Sequence, residues 1–332
     1  MRPQIVRQAL LSCIAAHQPV MLHGSFGVGK SDMIRGIAKE LELDLIDLRL
    51  SQLDSADLRG IPHADGKFTN WLTPKFLPQD PESRGILFLD EINSAAQATQ
   101  AAAYQLVLDR RLGDYELPAG WTIVAAGNRM RDRAIVNQMS TALKNRFVHL
   151  DYEVHFDDWI EWAQKAGIDE TIIGFLRFRP ALLNEPDSPD CNLKDRNSFA
   201  TPRSWEFFSR LLATKPDAEM RRVLAGSAIG EGNAAEYITY CEVYKDLPTY
   251  EEIQKNPAKA KLPKTAAANF AVVTMLGRRC TDDNWKPVFE YIERLTPEYQ
   301  MLFIKDTNTR VLSMVRSKEF REWAKKNADL LL

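Results

Sequence analysis

Residues 24–31 read Gly-Ser-Phe-Gly-Val-Gly-Lys-Ser, packing three glycines, a lysine and a hydroxyl around one point of the chain. The spacing is G-x-x-x-x-G-K-[ST]. A backbone that curls its N–H groups around a phosphate can carry few Cβ atoms, and a helix N-terminus just behind it adds a positive dipole end. Lys30 supplies a full charge to the β- and γ-phosphates, and the Ser31 hydroxyl can ligate Mg²⁺. The expected nucleotide-binding set is therefore Gly24, Ser25, Phe26, Gly27, Val28, Gly29, Lys30, Ser31 and, at the helix start, Asp32.

A second chemical cluster is Ile86-Leu87-Phe88-Leu89-Asp90-Glu91. Four apolar residues bury a strand, and two carboxylates stand at its C-terminal end, where α/β sheets place their ligands. Asp90 is expected to hold the Mg²⁺ shell with Ser31, and Glu91 to orient or deprotonate the attacking water. The plainer alternative is an acidic first turn of a helix; a phosphate loop in the same chain favours catalysis. Thr214-Lys215-Pro216-Asp217 matches the T-K-x-D pattern that reads guanine. It follows a helical pattern rather than a buried strand, so adenine remains the expected base.

The elements that must hold these groups alternate up to about residue 153. Short apolar runs at Val20–His23, Leu43–Leu48, Ile86–Leu89, Thr122–Ala126 and Phe147–Leu150 are separated by helical patterns. Such alternation argues for a parallel sheet covered on both faces. Residues 60–71, around Asp65-Gly66, and residues 110–121, around Gly113-Asp114, read as inserted β-hairpins. Beyond residue 156 helical periodicity dominates. Polar loops at Asn184–Asn197 and Leu247–Thr265 interrupt it.

The bulk numbers agree with a globular chain: 332 residues, 45% apolar, 27% charged, net charge −2. That balance gives no reason to expect a polyanion as main partner. Cys13, Cys191, Cys241 and Cys280 are far apart, the pattern of reduced thiols in a cytoplasmic protein. The start, MRPQIVRQALLSCIAAH, superficially resembles a secretory signal, but its apolar run is short. An amphipathic helix with Ile5, Leu10 and Ile14 on one side is the better reading. No later run approaches the ~18 apolar residues of a membrane span.

With these pieces in place the chain resembles the AAA+ ATPases, and most of all their MoxR branch. The resemblance runs from about Gln18 to Arg210. It is carried by DLRLSQLDSADLRGIP (47–62), GKFTNWLTPKFLP (66–78), GILFLDEINSAAQATQAAAYQLVLDRRL (85–112) and IVAAGNRM (123–130). It implies a P-loop core with a five-stranded parallel sheet between helices and two hairpin inserts (residues 1–155). An all-α lid (156–225) and a C-terminal helical extension (226–332) would follow.

By the same resemblance Asn128 is sensor 1, holding the attacking water or γ-phosphate. Arg146, in ALKNRF, is the arginine finger that reaches a neighbouring subunit's nucleotide. Arg203, in TPRSW, is sensor 2 on the lid. Each has a plain alternative: a turn asparagine after Gly127, a surface arginine at a helix end, and the start of a helix at Pro202. Arg131 and Arg133 also lie near the sensor strand and compete for the finger assignment. The helices after residue 225 match no segment of the pattern.

The resemblance thus implies ATP and Mg²⁺ as cofactors, hydrolysis at a seam between subunits, and a homo-oligomer, most simply a ring of six. Its output would be remodelling or maturation of a protein client, with a von Willebrand factor A domain protein as partner. Nucleic acid and membrane insertion are not expected. A nucleic-acid motor or loader is the alternative and predicts basic hairpins; Lys67, Arg110 and Arg111 are mixed there with Asp114 and Glu116. A non-hydrolysing nucleotide-gated scaffold is disfavoured by the intact Glu91.

Overall fold

The computed structural model describes residues 1–129, 139–188 and 196–327. Arg131, Arg133 and Cys191 lie outside the described residues. The chain divides into two compact units, Met1–Asp158 and Trp159–Leu332.

In the first unit, chain order is α1 (Pro3–Ala15), β1 (Val20–His23), α2 (Lys30–Glu40), β2 (Asp44–Arg49), α3 (Ser55–Arg59), β3 (Ile61–Asp65) and β4 (Phe68–Leu72). Then come β5 (Gly85–Asp90), α4 (Gln97–Asp109), β6 (Arg111–Leu112), β7 (Tyr115–Glu116), β8 (Trp121–Gly127), α5 (Thr141–Lys144) and β9 (Val148–Asp151). The five apolar runs are the five strands of one sheet, in the order β2-β5-β8-β1-β9. Every pairing in it is parallel.

Because side chains alternate across a strand, one run feeds two cores. Leu87, Leu89, Ile123 and Ala125 join Ala102, Ala103 and Leu106 of α4 on one face. Ile86, Phe88, Val124 and Ala126 join Ile34 and Ile37 of α2 and Leu10 of α1 on the other. That two-sided burial is why these strands read as unbroken apolar runs. On α1 the buried stripe is Val6, Leu10 and Ile14, while Ile5 is exposed. Steps of four residues keep to one helix face; the five-residue step from Ile5 to Leu10 turns about 140° away from it.

Both inserts are hairpins. β3 pairs antiparallel with β4 around Gly66, and β6 with β7 around Gly113. The register places Ile61 opposite Leu72 and Asp65 opposite Phe68. Ile61, Phe68 and Leu72 thus share one face, and all three are exposed.

Among its described residues the second unit is helical: α6 (Phe156–Ala166, which begins just before the division), α7 (Glu170–Phe178), α8 (Pro202–Leu212), α9 (Ala218–Ile229), α10 (Glu231–Lys245) and α11 (Tyr250–Lys255). It continues with α12 (Ala266–Arg279), α13 (Trp285–Ile292), α14 (Pro297–Thr307), α15 (Leu312–Val315) and α16 (Lys318–Lys326). Arg177 of α7 ties both of its neighbours: it donates to Thr274 Oγ1 of α12 at 2.9 Å and to Asp306 Oδ1 of α14 at 2.6 Å. The T-K-x-D segment caps a helix. Asp217 Oδ1 accepts the Met220 N–H of α9 at 2.8 Å, the ordinary work of an N-cap aspartate.

Candidate functional site

The phosphate loop leaves the end of β1, between β8 and β9, and enters α2. Gly27 and Gly29 have φ of 71° and 96°, in the left-handed region open to glycine. At Gly24 a Cβ would come within 2.9 Å of the Tyr152 carbonyl oxygen. The loop therefore lies against bare backbone, which explains its lack of side chains.

Lys30, at the first position of α2, is buried. Its ammonium donates to the carbonyls of Gly24 (2.7 Å) and Ser25 (2.8 Å), and to Asn128 Oδ1 at 3.4 Å. The lysine closes the loop on itself and reaches the residue just past β8. Ser25 Oγ is buried without a hydrogen-bond partner, a polar atom inside a loop shaped to take an anion. Asp32 points elsewhere: its carboxylate pairs with Arg35 at 2.8 Å.

Ser31 Oγ donates to Asp90 Oδ2 at 2.9 Å, and the Glu91 N–H donates to Asp90 Oδ1 at 2.9 Å. Burial pushes the Asp90 carboxyl above the usual carboxylate range, while Ser31, the Glu91 amide and Lys30 pull it back. A half-buried carboxylate beside a hydroxyl, at the mouth of a phosphate loop, suits Mg²⁺, which takes few protein ligands and fills its shell with phosphate and water. No cluster of three or more His, Cys, Asp or Glu poised for a metal occurs among the described residues.

Glu91 has φ 56°, ψ 33° and opens a 3₁₀ turn, Ile92–Ser94. A left-handed glutamate is uncommon; here it swings the carboxylate off the strand axis, where it accepts a hydrogen bond from Ser51 Oγ. Asn128 stands just past β8. Its backbone N–H donates to Asn93 Oδ1 at 3.2 Å and its carbonyl accepts from Asn93 Nδ2 at 2.6 Å. Two hydrogen-bonded sets, Lys30 with Asn128 and Ser31 with Asp90 and Glu91, thus meet through the consecutive Lys30 and Ser31 at the C-terminal end of the sheet.

Arg146 follows α5 and is exposed; among the described residues its guanidinium enters no ion pair. Arg203 is exposed in the first turn of α8, in the helical unit.

Several contributors escape a linear reading. Asn93 and Ser51 are 35 and 40 residues from the groups they hold. Arg129 donates to the Tyr152 carbonyl at 2.6 Å, bracing the segment against Gly24, and burial pushes the Tyr152 phenol up to about 12. His23, directly before Gly24, stacks on His149 with 2.8 Å between His23 Nε2 and His149 Nδ1. The polar residue after Asp90-Glu91-Ile92 and an aromatic just beyond the last strand were the available signals.

Residues 20–151 match the model of the ATPase family associated with various cellular activities (AAA). The denitrification regulatory protein NirQ of Pseudomonas aeruginosa is 36% identical over 94 residues, 28% of this chain and 36% of the relative. NirQ of Stutzerimonas stutzeri is 28% identical over 164 residues, 46% of this chain and 59% of that protein. The chain therefore covers less than two thirds of either relative. Among solved structures, the RuvB Holliday junction branch migration motor of Thermotoga maritima is 17% identical, with a TM-score of 0.43 over 77% of this chain and 76% of that one. NtrX of Brucella abortus in complex with ADP is 15% identical, with a TM-score of 0.41 over 99% and 68%. The motif geometry and the family match coincide on one stretch of chain: residues 20–151, which match the AAA ATPase model, hold Lys30, Ser31, Asp90, Glu91 and Asn128.

Proposed function

We propose that this protein is an oligomeric, Mg²⁺-dependent ATPase of MoxR type that remodels or matures a protein client. The carrying observation is the hydrogen-bonded set Lys30–Asn128 and Ser31–Asp90, with Glu91 on the adjoining turn. The phosphate loop and Lys30 bind and orient the triphosphate. Mg²⁺ on Ser31 and Asp90 would neutralise charge on its β- and γ-oxygens. Asn128 holds the attacking water, Glu91 accepts its proton, and water oxygen replaces the β–γ bridging oxygen on the γ-phosphorus, leaving ADP and phosphate.

Arg146, exposed and in no ion pair among the described residues, supports a role on the nucleotide of a second copy, where an arginine is worth about 10³–10⁵ in rate. Arg203 keeps its reading as sensor 2, carried on the helical lid. The assembly is taken as a six-membered ring, and the lid and extension as residues 156–225 and 226–332.

A protein client is favoured over nucleic acid by the two hairpins. Arg110 is spent on the carbonyls of Pro118 (2.7 Å) and Trp121 (2.8 Å), and Arg111 on Glu116 at 2.9 Å. The β3–β4 hairpin instead offers Ile61, Phe68 and Leu72 to solvent. An apolar exposed face suits a protein partner, and a von Willebrand factor A domain protein is the partner proposed. No helix among the described residues is long and apolar enough to cross a membrane.

The direct test is turnover against protein concentration. A shared site makes specific activity climb with concentration, while Lys30→Ala stays inactive throughout. Concentration-independent specific activity, or stimulation by DNA or RNA that salt abolishes, contradicts the reading.

A further inference from the structure

Glu91 and Asn128 are given separate roles above, yet one side chain joins them. Asn93 sits two residues past Glu91, in the turn that Glu91 opens, and is buried at 5% exposure. The turn is anchored by Ile92, which is wholly buried, and closed by the Ser94 N–H on the Glu91 carbonyl at 2.9 Å. From this turn the Asn93 carboxamide grips Asn128 at both backbone atoms, N–H and C=O.

The residue type is specific to the task. A primary amide carries a donor and an acceptor on one short plane; aspartate lacks the donor and serine lacks the reach. The neighbouring backbone is cut to fit. A Cβ at Gly127 would stand 2.4 Å from Asn93 Oδ1, so the amide packs against a strand end that has to be bare. Glycine is needed at 127 for this close approach.

We propose that Asn93 is a positioning residue that holds Glu91 and Asn128 at a set separation, so that the base and the water-holding amide form one rigid piece. The proposal rests on the roles assigned to those two residues in ATP hydrolysis. Asn93 touches neither nucleotide nor water; it acts through the Asn128 backbone, and beyond it through Asn128 Oδ1, which accepts from Lys30. A displacement of order 1 Å in such a pair is enough to cost about 100-fold.

The test is a set of double-mutant cycles in the full chain, with Asn93→Ala and the milder Asn93→Asp, which keeps the acceptor and loses the donor. Each single variant is expected to lower kcat by about 100-fold for Ala and less for Asp, with affinity for a fluorescent ATP analogue within threefold of wild type. In an Asn128→Ala background the same changes should remove less than a further twofold, because the group being positioned is already gone. Gly127→Ala should slow the wild type and cost less in the Asn93→Ala background, where of the two obstructing side chains only the Met21 methyl, 2.7 Å from the added Cβ, remains. Equal losses in all backgrounds, or loss of nucleotide affinity, overturn the proposal. Amide exchange at Asn128 reads the clamp without turnover. It should quicken in Asn93→Ala, unchanged exchange overturns the inference, and absent ATPase activity in wild type beside quickened exchange faults the hydrolysis reading alone.

Discussion

Ser31 Oγ and Asp90 Oδ2 lie 2.9 Å apart, joined by a hydrogen bond between the helix that follows the phosphate loop and the central strand β5. The two atoms expected to share Mg²⁺ are already in contact with one another. Ser31→Ala therefore removes a ligand and also strips a hydrogen bond from a half-buried carboxylate. The Mg²⁺ concentration for half-maximal ATPase activity should rise by about tenfold or more. A metal titration at saturating ATP checks it; an unchanged midpoint takes Ser31 out of the metal shell.

Lys30 and Glu91 should separate binding from chemistry. Lys30 closes the loop through the Gly24 and Ser25 carbonyls, so Lys30→Ala loses both the phosphate charge and the loop's own brace. Glu91 is tied to Ser51 instead, and Glu91→Gln should keep nucleotide affinity while turnover falls by at least about 100-fold. Equilibrium binding of a fluorescent ATP analogue to both variants decides the matter; equal loss of binding refutes the division of roles.

In the helical unit the ion pair between Arg177 and Asp306, 2.6 Å long, has side chains only 3% and 6% exposed. Breaking one partner leaves a buried charge. Asp306→Ala should cost ~3–5 kcal/mol, and replacing both residues by apolar ones of similar size should recover most of it. Urea unfolding of the single and double variants reads the difference.

Burial, followed by His149, Arg129 and Lys30, lowers the His23 pKa below its ordinary 6.5, with Asp151 opposing. The folded state then binds fewer protons than the unfolded one between the two values. Stability is thus lost as pH falls from about 6.5 through the folded value and is flat above it. His23→Gln should flatten the decline in Tm between pH 7 and 5, and an unchanged slope assigns that decline to other groups.

Much of this architecture was legible in the chain because its signals are local. Two-sided strands such as Ile86–Leu89 cannot avoid reading as apolar runs, and Gly66 and Gly113 announce their hairpins. The places of the glycine-rich turn between β1 and α2 and of Asp90-Glu91 at the end of β5 were legible for the same reason: each is a contiguous segment. What stayed hidden depends on pairing across the sheet. Asn93 becomes meaningful only when β5 and β8 lie side by side, and Ser51 only when the chain after β2 meets the end of β5. The Val6 stripe of α1 was missed by one residue of helical phase. Nor does periodicity reveal that Arg177 would bind α12 and α14, since partners 97 and 129 residues away leave no mark on local pattern.

The central claim is that ATP is cleaved with Glu91 from one copy and Arg146 from another. Mixing inactive Glu91→Gln with inactive Arg146→Ala protein tests it most directly, because mixed assemblies contain interfaces with both residues intact. The account predicts recovered ATPase activity on mixing that vanishes when the Arg146→Ala protein also carries Lys30→Ala and survives when the Glu91→Gln protein carries it. No recovery, or full-rate hydrolysis by a strictly monomeric sample, contradicts it.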